Sequence, residues 1–494
     1  MRHQFSAATI FSPSFCSLSI TQLLQNLMIF MQSAPFPRFF LALTFAMALA
    51  RSAPPAHAQG AAPAFWSWAA TPPMGWNSYD TFGGSVTEAE TMANAACMQK
   101  YLLPHGWRYV VIDFRWYDPQ PVNDDRMLNT TRAGAQLAAD QYGRLMPAPD
   151  RFPSAADGAG FKPIAAKLHA MGLKFGIHVM RGVPRQAATA RSPIQGSALT
   201  AAAAANAADT CPWCPDMFGA QANAAGQAWY DAEFRLYAAW GVDFVKVDDL
   251  SQPYHPAEIA MIRKAIDNCG RPIVLSASPG PTPVSMAGGI ATNANMWRIS
   301  GDFWDHWSSL NKQFDLLASW RGVGGPGHWP DADMIPFGHI GIRSWINGWD
   351  RWTRFSRDEQ KTLMTLWALA PSPMMLGMNL PDNDASTLAL LTNDEVLAIN
   401  QDPLGRAGRR VLQDARTEVW IKDLKDGSLA IGLFNRGPNP ASVTLPFRVA
   451  GLTGRLALRD LWARRALGPY AGSVTLPLPP HGAALLRATA AKLL

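Results

Sequence analysis

From about residue 71 to residue 400 the chain alternates short apolar runs with amphipathic stretches, and no other feature limits its fold as strongly. The runs MGWNSY (74–79), YVVID (109–113), KFGIHV (174–179), FVKVD (244–248), PIVLSAS (272–278) and NMWRIS (295–300) read as strands. Weaker ones follow at GHWPDADMI (327–335) and SPMMLGM (372–378). Between them TEAETMANAACMQKYL, FKPIAAKLHAM, AWYDAEFRLYAAW, HPAEIAMIRKAIDN and DEQKTLMTLWALA carry helical periodicity. Thr87, with Glu90 three residues on, predicts a capped helix start.

Repeated strand–helix units build a parallel sheet. Eight of them in this length predict a closed (β/α)8 barrel. An open doubly wound sheet calls for a Gly-rich phosphate turn after the first strand, and GWNSYDTFGG is not one. The long connections at about 115–160 and 181–225 then fall on the catalytic face, and the Ala-rich tract near 198–208 reads as an ordinary loop or helix. After residue 404 the segments EVWIKDL, SLAIGLFN, ASVTLPF, RLALRDLW, SVTLPL and GAALLRA alternate in character and are separated by Gly, Pro and Asn. They predict a small antiparallel β-sandwich without catalytic residues. The expected domains are a barrel over 59–403 and a sandwich over 404–494.

Residues 1–58 differ from the rest. They hold Arg2, Arg38 and Arg51 but no acid, and the apolar run FFLALTFAMALA (39–50) leads to Ala56-His57-Ala58. This is the pattern of a secretory signal, which predicts export with a mature chain starting near Gln59. The run is too short for a stable membrane anchor. The tract before Arg38 is long for a signal, which makes Met28 and Met31 alternative starts. Without the leader, 40 basic residues face 37 acidic ones, and no basic run remains to favour nucleic acid. Four cysteines then remain: Cys97, Cys211, Cys214 and Cys269. CPWC (211–214) fits a tight disulfide, half a zinc site or a redox pair by spacing alone. Neither further zinc ligands nor a thioredoxin-like context accompanies it, so a structural or unpaired role is expected.

Barrel enzymes collect their chemistry at the C-terminal ends of the strands. There the chain places Trp76 and Asn77, Asp113 and Trp116, His178 and Arg181, then Lys246, Asp248 and Asp249. Ser278, Arg298 with Asp302, and finally His328, Asp331 and Asp333 follow on later strands. Taken singly, Asp249 reads equally as a cap, His178 as a hydrogen-bonded core residue and Asp331 as the cap of a turn. Asp248 and Asp302 are harder to explain by packing, because each follows a strand carrying its own cation, Lys246 or Arg298. Two acids, many aromatics (19 Trp in all) and no cofactor motif point to glycoside hydrolysis. In that chemistry one carboxylate attacks the anomeric carbon and another protonates the leaving oxygen. The pair stands ~5–5.5 Å apart in retaining enzymes and ~6.5–9.5 Å apart in inverting ones. A metal-dependent barrel hydrolase using His178, Asp248, Asp249 and His328 lacks the expected H-x-H on a first strand. A sugar-binding protein without catalysis would not need both Asp248 and Asp302.

The motifs PPMGWNSYDTFGG, VVIDFRWYDP, WGVDFVKVDD, WRISGDFWDHW, GHWPDADMIPFG and SPMMLGMNL resemble, in order, those of glycoside hydrolase family 27, the α-galactosidase family. The resemblance implies a retaining exo-acting α-galactosidase that needs no metal or cofactor. It makes Asp248 the nucleophile and Asp302 the acid/base, with Trp76 as the wall beneath the sugar. Asp113, His178, Lys246, Ser278, Arg298 and Asp333 are its substrate-binding residues. Physically, Lys246 favours an ionised Asp248, and a less solvated Asp302 is expected to keep its proton. The implied partners are α-galactoside oligosaccharides or polysaccharides, not nucleic acid or membrane. The chain also departs from the family pattern. Phe114 stands where a second acid usually follows Asp113, His178 replaces a common tyrosine, and Ser276-Ala277-Ser278 replaces a Cys-Glu-Trp pattern. Leu250 stands where a cysteine usually follows the nucleophile. These changes keep the reaction and open the sugar to alternatives: β-L-arabinopyranoside, α-N-acetylgalactosaminide or an α-1,6-glucan.

Overall fold

The computed structural model describes residues 62–121, 136–344 and 348–491. The expected leader at 1–58 lies outside them, with Met28 and Met31, and so does part of the 115–160 connection. Eight strands form one parallel sheet: β1 Met74–Asn77, β2 Tyr109–Ile112, β3 Lys174–Met180, β4 Phe244–Asp248, β5 Val274–Ala277, β6 Met296–Arg298, β7 Trp329–Asp331 and β8 Met374–Leu376. Their order is β7-β6-β5-β4-β3-β2-β1-β8. A parallel bridge between Ile335, just past β7, and Leu376 of β8 brings the two edges together, with Ile335 N–H donating to Met375 O at 2.7 Å. The sheet is a (β/α)8 barrel, as the alternation predicts.

The connecting helices are α1 Glu88–Cys97, α2 Lys162–Ala170, α3 Ala224–Trp240, α4 Pro256–Asn268, α5 Ala287–Ala291, α6 Trp307–Ser319 and α7 Arg357–Leu369. After β8 come α8 Ala385–Leu391 and α9 Asp394–Asn400. Thr87 and Glu90 form the predicted capping box, and Ser356 and Glu359 form a second one at α7. The Ala-rich tract becomes a one-turn helix, Ala201–Ala204, running into a strand, Ala205–Thr210, of a small sheet in the loop after β3.

Two apolar layers follow from the two-residue period of a strand. Tyr109, Val111, Phe244, Val274, Met296, Trp329 and Met375 fill the barrel interior. Trp76, Val110, Ile112, Ile177, Val245 and Leu275 face the helices. Most of the tryptophans are core. Trp76, Trp107, Trp116, Trp229, Trp297, Trp329, Trp367 and Trp420 are fully buried, each contributing on the order of 4–6 kcal/mol of hydrophobic transfer.

The C-terminal strands are β9 Arg409–Gln413, β10 Thr417–Asp423, β11 Leu429–Asn435, β12 Ala441–Pro446, β13 Arg455–Asp460, β14 Arg465–Ala471, β15 Ser473–Leu478 and β16 Ala483–Ala490. They form an antiparallel six-stranded sheet, β9-β10-β11-β16-β13-β14, and a two-stranded one, β12-β15. Val419, Ile421, Ile431, Leu433, Val443 and Leu445 lie between them as the sandwich core. The other face of the large sheet, with Trp420, Phe434 and Leu485, joins the barrel core. Leu369 of α7 packs so closely on Gly432 that a Cβ there would approach Leu369 Cδ1 to 2.3 Å. Barrel and sandwich belong to one compact unit, Ala61–Leu494. Lys422 is buried at this seam, donating to Ala368 O (3.0 Å) and Ile399 O (2.5 Å) near the ends of α7 and α9. Among the described residues no helix is long and apolar enough to cross a membrane.

Candidate active site

A cavity of about 310 Å3 opens at the C-terminal ends of the strands, lined by Asp113, His178, Lys246, Asp248, Ser278, Arg298, Asp302 and Asp333. Eight of the nine catalytic and substrate-binding residues that the family resemblance implies thus meet in one place. Their convergence follows from the strand period. On β4, Phe244, Lys246 and Asp248 point inward in succession; on β6 and β7, Met296 leads to Arg298 and Trp329 to Asp331 and Asp333. Residues deep in the barrel are apolar, and those one or two steps further along the same inward rows are charged.

Trp76 is the exception and corrects the expectation of a wall beneath the sugar. It lies one residue out of phase with Asn77 on β1, so its ring points to the helix layer, is fully buried, and donates its N–H to Met378 O at 2.7 Å. Trp116 is buried too, donating to His178 O at 2.6 Å. Arg181 lies outside the cavity lining, paired with Asp209 (2.7 Å), Asp249 (3.0 Å) and Glu258 (2.6 Å). His328 precedes β7, at the opposite end of that strand, and stacks on Trp66 at 3.9 Å. The four residues of the metal reading therefore do not converge. Among the described residues only Asp209, His255 and Glu258 lie close enough together to hold an ion, and the Arg181 guanidinium already bonds the two acids.

Two hydrogen bonds fix the Asp248 carboxylate. Its Oδ2 is 2.9 Å from His178 Nε2, and its Oδ1 accepts from Asp249 N at 2.9 Å. Burial pushes its pKa up, but His178, Lys246 and the Asp249 N–H outweigh burial and hold it below the ordinary carboxylate value. Asp248 is therefore ionised. An ionised carboxylate only accepts, so the His178 Nε2 carries the hydrogen. Asp113 accepts from Asn77 Nδ2 (2.6 Å), Lys246 Nζ (3.1 Å) and Phe114 N (2.8 Å). Burial opposes ionisation there as well, yet Lys246, His178 and these donors bring its pKa down to about 2. Lys246 in turn is held cationic by Asp113 and Asp248 against the cost of burial.

Arg298 binds Asp333 at 2.7 Å and Asp302 at 3.1 Å from the same nitrogen, Nη2. Asp333 also accepts from Phe303 N at 2.8 Å. Burial, with Asp302 and Asp331 adding to it, raises the Asp333 pKa to about 7 despite Arg298. Asp302 differs from the less solvated acid expected: its side chain is 60 % exposed, against 13 % for Asp248. It sits on the loop after β6, at the rim of the cavity.

Several lining residues escaped the sequence reading: Tyr79, Asp80, Trp213, Phe303, Trp304 and Met334. Tyr79 opens the helical turn Tyr79–Phe82 directly after β1, which brings it to the cavity beside the strand end. Asp80 is buried, and its pKa is raised well above the usual value by burial, with Asp333, Asp302 and Asp113 adding and Lys246 opposing. Burial thus favours its neutral form, in which it can donate to a ligand hydroxyl. Its Oδ2 has no hydrogen-bond partner and packs against Gly377, where a Cβ would come within 2.0 Å. The four cysteines among the described residues are free thiols, Cys211 and Cys214 being buried.

The sequence matches the family profile described as alpha galactosidase A over residues 216–402 and that of the alpha galactosidase C-terminal beta sandwich domain over 414–488. The solved structure of a GH27 β-L-arabinopyranosidase from Geobacillus stearothermophilus is 47% identical, with a TM-score of 0.84, and the match covers 88% of this chain and 100% of that one. The chain belongs to glycoside hydrolase family 27. A putative α-N-acetylgalactosaminidase structure from Bacillus halodurans C-125 is 45% identical over 85% of this chain and 98% of that one, with a TM-score of 0.76. An α-galactosidase from Oryza sativa subsp. japonica is 28% identical, covering 83% of each chain. The protein is therefore a glycoside hydrolase, and as a GH27 enzyme it carries an apolar ring, Phe114, in its cavity where the family pattern has a second acid.

Proposed function

We propose that this GH27 enzyme removes terminal β-L-arabinopyranosyl residues by double displacement with retention. Asp248 is the nucleophile: ionised, oriented by two hydrogen bonds and beside Lys246. It attacks the anomeric carbon while Asp302 protonates the departing oxygen. Asp302, then a carboxylate, takes a proton from the water that releases the sugar. Asp113, Lys246, Arg298, Asp333 and neutral Asp80 supply acceptors and donors for ring hydroxyls.

One observation carries the choice of sugar: Phe114 faces the cavity beside Asp113, on the side where the family pattern supplies a second carboxylate for C4 and C6. β-L-Arabinopyranose has the ring configuration of α-D-galactopyranose without the hydroxymethyl group on C5. An apolar wall there favours the sugar that brings no hydroxyl to it. The similarity to the Geobacillus arabinopyranosidase supports the same choice. A second reading, α-galactoside hydrolysis, is favoured by the α-galactosidase relatives and by the Asp80 carboxyl in the cavity. Export to the periplasm or medium belongs to the proposal and rests on the leader-like residues 1–58.

Initial rates on nitrophenyl β-L-arabinopyranoside, α-D-galactopyranoside and α-N-acetylgalactosaminide decide the sugar. The arabinoside is expected to give the highest kcat/KM, and a preference for either other substrate would sink this reading. Trapping with an activated 2-deoxy-2-fluoro glycoside is expected to label the peptide containing Asp248.

A further inference from the structure

CPWC (211–214) carries a residue that the proposed mechanism leaves unused. Trp213, between the two free thiols, lines the catalytic cavity. Its ring meets Phe114 at 5.9 Å, tilted by 51°, and Phe114 in turn stands edge-on to His178 at 5.5 Å. Behind the rings the same two loops are tied by charge. Arg115, next to Phe114, grips Asp216 through Nε–Oδ2 and Nη2–Oδ1, both 3.1 Å. Asp216 also accepts from Tyr117 OH at 3.3 Å and from the Cys214 thiol at 3.5 Å. Arg115, Cys214 and Asp216 are all buried, so the ion pair is shielded from water and fixed in geometry. The Cys211 thiol faces Asp249, the neighbour of Asp248. An isolated exposed tryptophan would be an ordinary surface residue. This one is held by a buried scaffold and turned to the cavity.

We propose that Trp213 is a specificity-determining residue: with Phe114 it forms a two-ring wall that receives the C5 edge of the pyranose and rejects a hydroxymethyl group there. The substrates it selects are galacto-configured pyranosides without an exocyclic carbon. Against two apolar rings the extra hydroxyl loses its water and finds no partner, a handicap of roughly tenfold to a hundredfold. The inference rests on the reading of the sugar given above and assigns CPWC a recognition role in place of a redox or metal one.

The test compares kcat/KM on nitrophenyl β-L-arabinopyranoside and α-D-galactopyranoside for the wild type, W213F, W213L and W213A. Their ratio is internal to each preparation, so a partly unfolded sample lowers both rates and leaves the ratio unchanged. W213A is expected to shift the ratio toward the galactoside by about tenfold or more, chiefly through KM, while W213F stays within about threefold. If W213A is inactive on both, W213L, which keeps an apolar side chain, gives the ratio. A ratio that stays constant while both rates fall would make Trp213 a packing residue and overturn the inference. A wild type that prefers the galactoside would instead overturn the proposed sugar, leaving the variant ratios to judge Trp213.

Discussion

His178 Nε2 lies 2.9 Å from Asp248 Oδ2, joining the inward-facing ends of β3 and β4. This bond is the foremost influence lowering the Asp248 pKa against burial. Replacing His178 with Ala or Phe removes a donor and leaves the carboxylate in the same buried position. The acid limb of kcat/KM is expected to move to higher pH, with a fall of tenfold or more near pH 5, about the loss of one charge-assisted hydrogen bond. A pH–rate profile checks this, and an unmoved limb would show that His178 does not support the nucleophile.

Asp302 reaches the cavity from an exposed loop, where it accepts from Arg298 at 3.1 Å. Asp302→Ala is expected to lower kcat about 10²–10⁴-fold on glycosides with poor leaving groups. The loss shrinks on activated nitrophenyl substrates, where protonation matters less. Azide, a nucleophile that needs no general base, should then restore turnover and give a glycosyl azide of retained configuration, identified by NMR.

Asp113 and Lys246 form a buried pair, and the folded Asp113 pKa of about 2 lies below the ordinary 3.8. Burial opposes the charge, but Lys246, His178, Asn77 and the Phe114 N–H together outweigh it, so ionised Asp113 contributes roughly 2 kcal/mol to stability above pH 3.8, lost as pH falls through 2. Lys246→Met strands the carboxylate. Thermal unfolding at pH 7 is expected to show a loss of about 3–5 kcal/mol. The difference from wild type should narrow toward pH 3, as Asp113 of the variant takes up a proton.

Lys422 is buried where the sandwich meets the barrel, and burial lowers its pKa to about 7. Between pH 7 and about 10.5 the unfolded chain holds a proton that the folded one does not, so this group makes stability rise with pH. Lys422→Met abolishes that dependence. The wild-type Tm is expected to gain on the variant between pH 7 and 9, and parallel Tm curves would count against it.

The barrel was legible because its signal is repetitive: all eight strand candidates overlap the observed strands, each to within a few residues at either end. The site was legible where charge interrupts apolar periodicity, as at Lys246 and Asp248 on β4. Trp76 was misread by weighing residue type above phase. Tyr79, on the helical turn that follows β1, reaches the cavity, whereas Trp76 on the outward row of the strand does not. Trp213, Phe303 and Trp304 could not be placed by any period, since they lie on connections whose course depends on pairs distant in sequence, such as Arg115 with Asp216. The exposure of Asp302 likewise depends on loop packing and not on its neighbours in sequence.

Helix α7 touches the barrel wall on one flank and the large C-terminal sheet on the other, with Leu369 seated over Gly432. A chain cut after β8 and its helices would leave that second flank without cover, and the severed sheet would expose the indole of Trp420. The trailing sheet thus behaves as a fitted half of one body and not as detachable cargo. Recombination that swaps it for a foreign module has to recreate the seam at Gly432 and Lys422 before the sugar site can form.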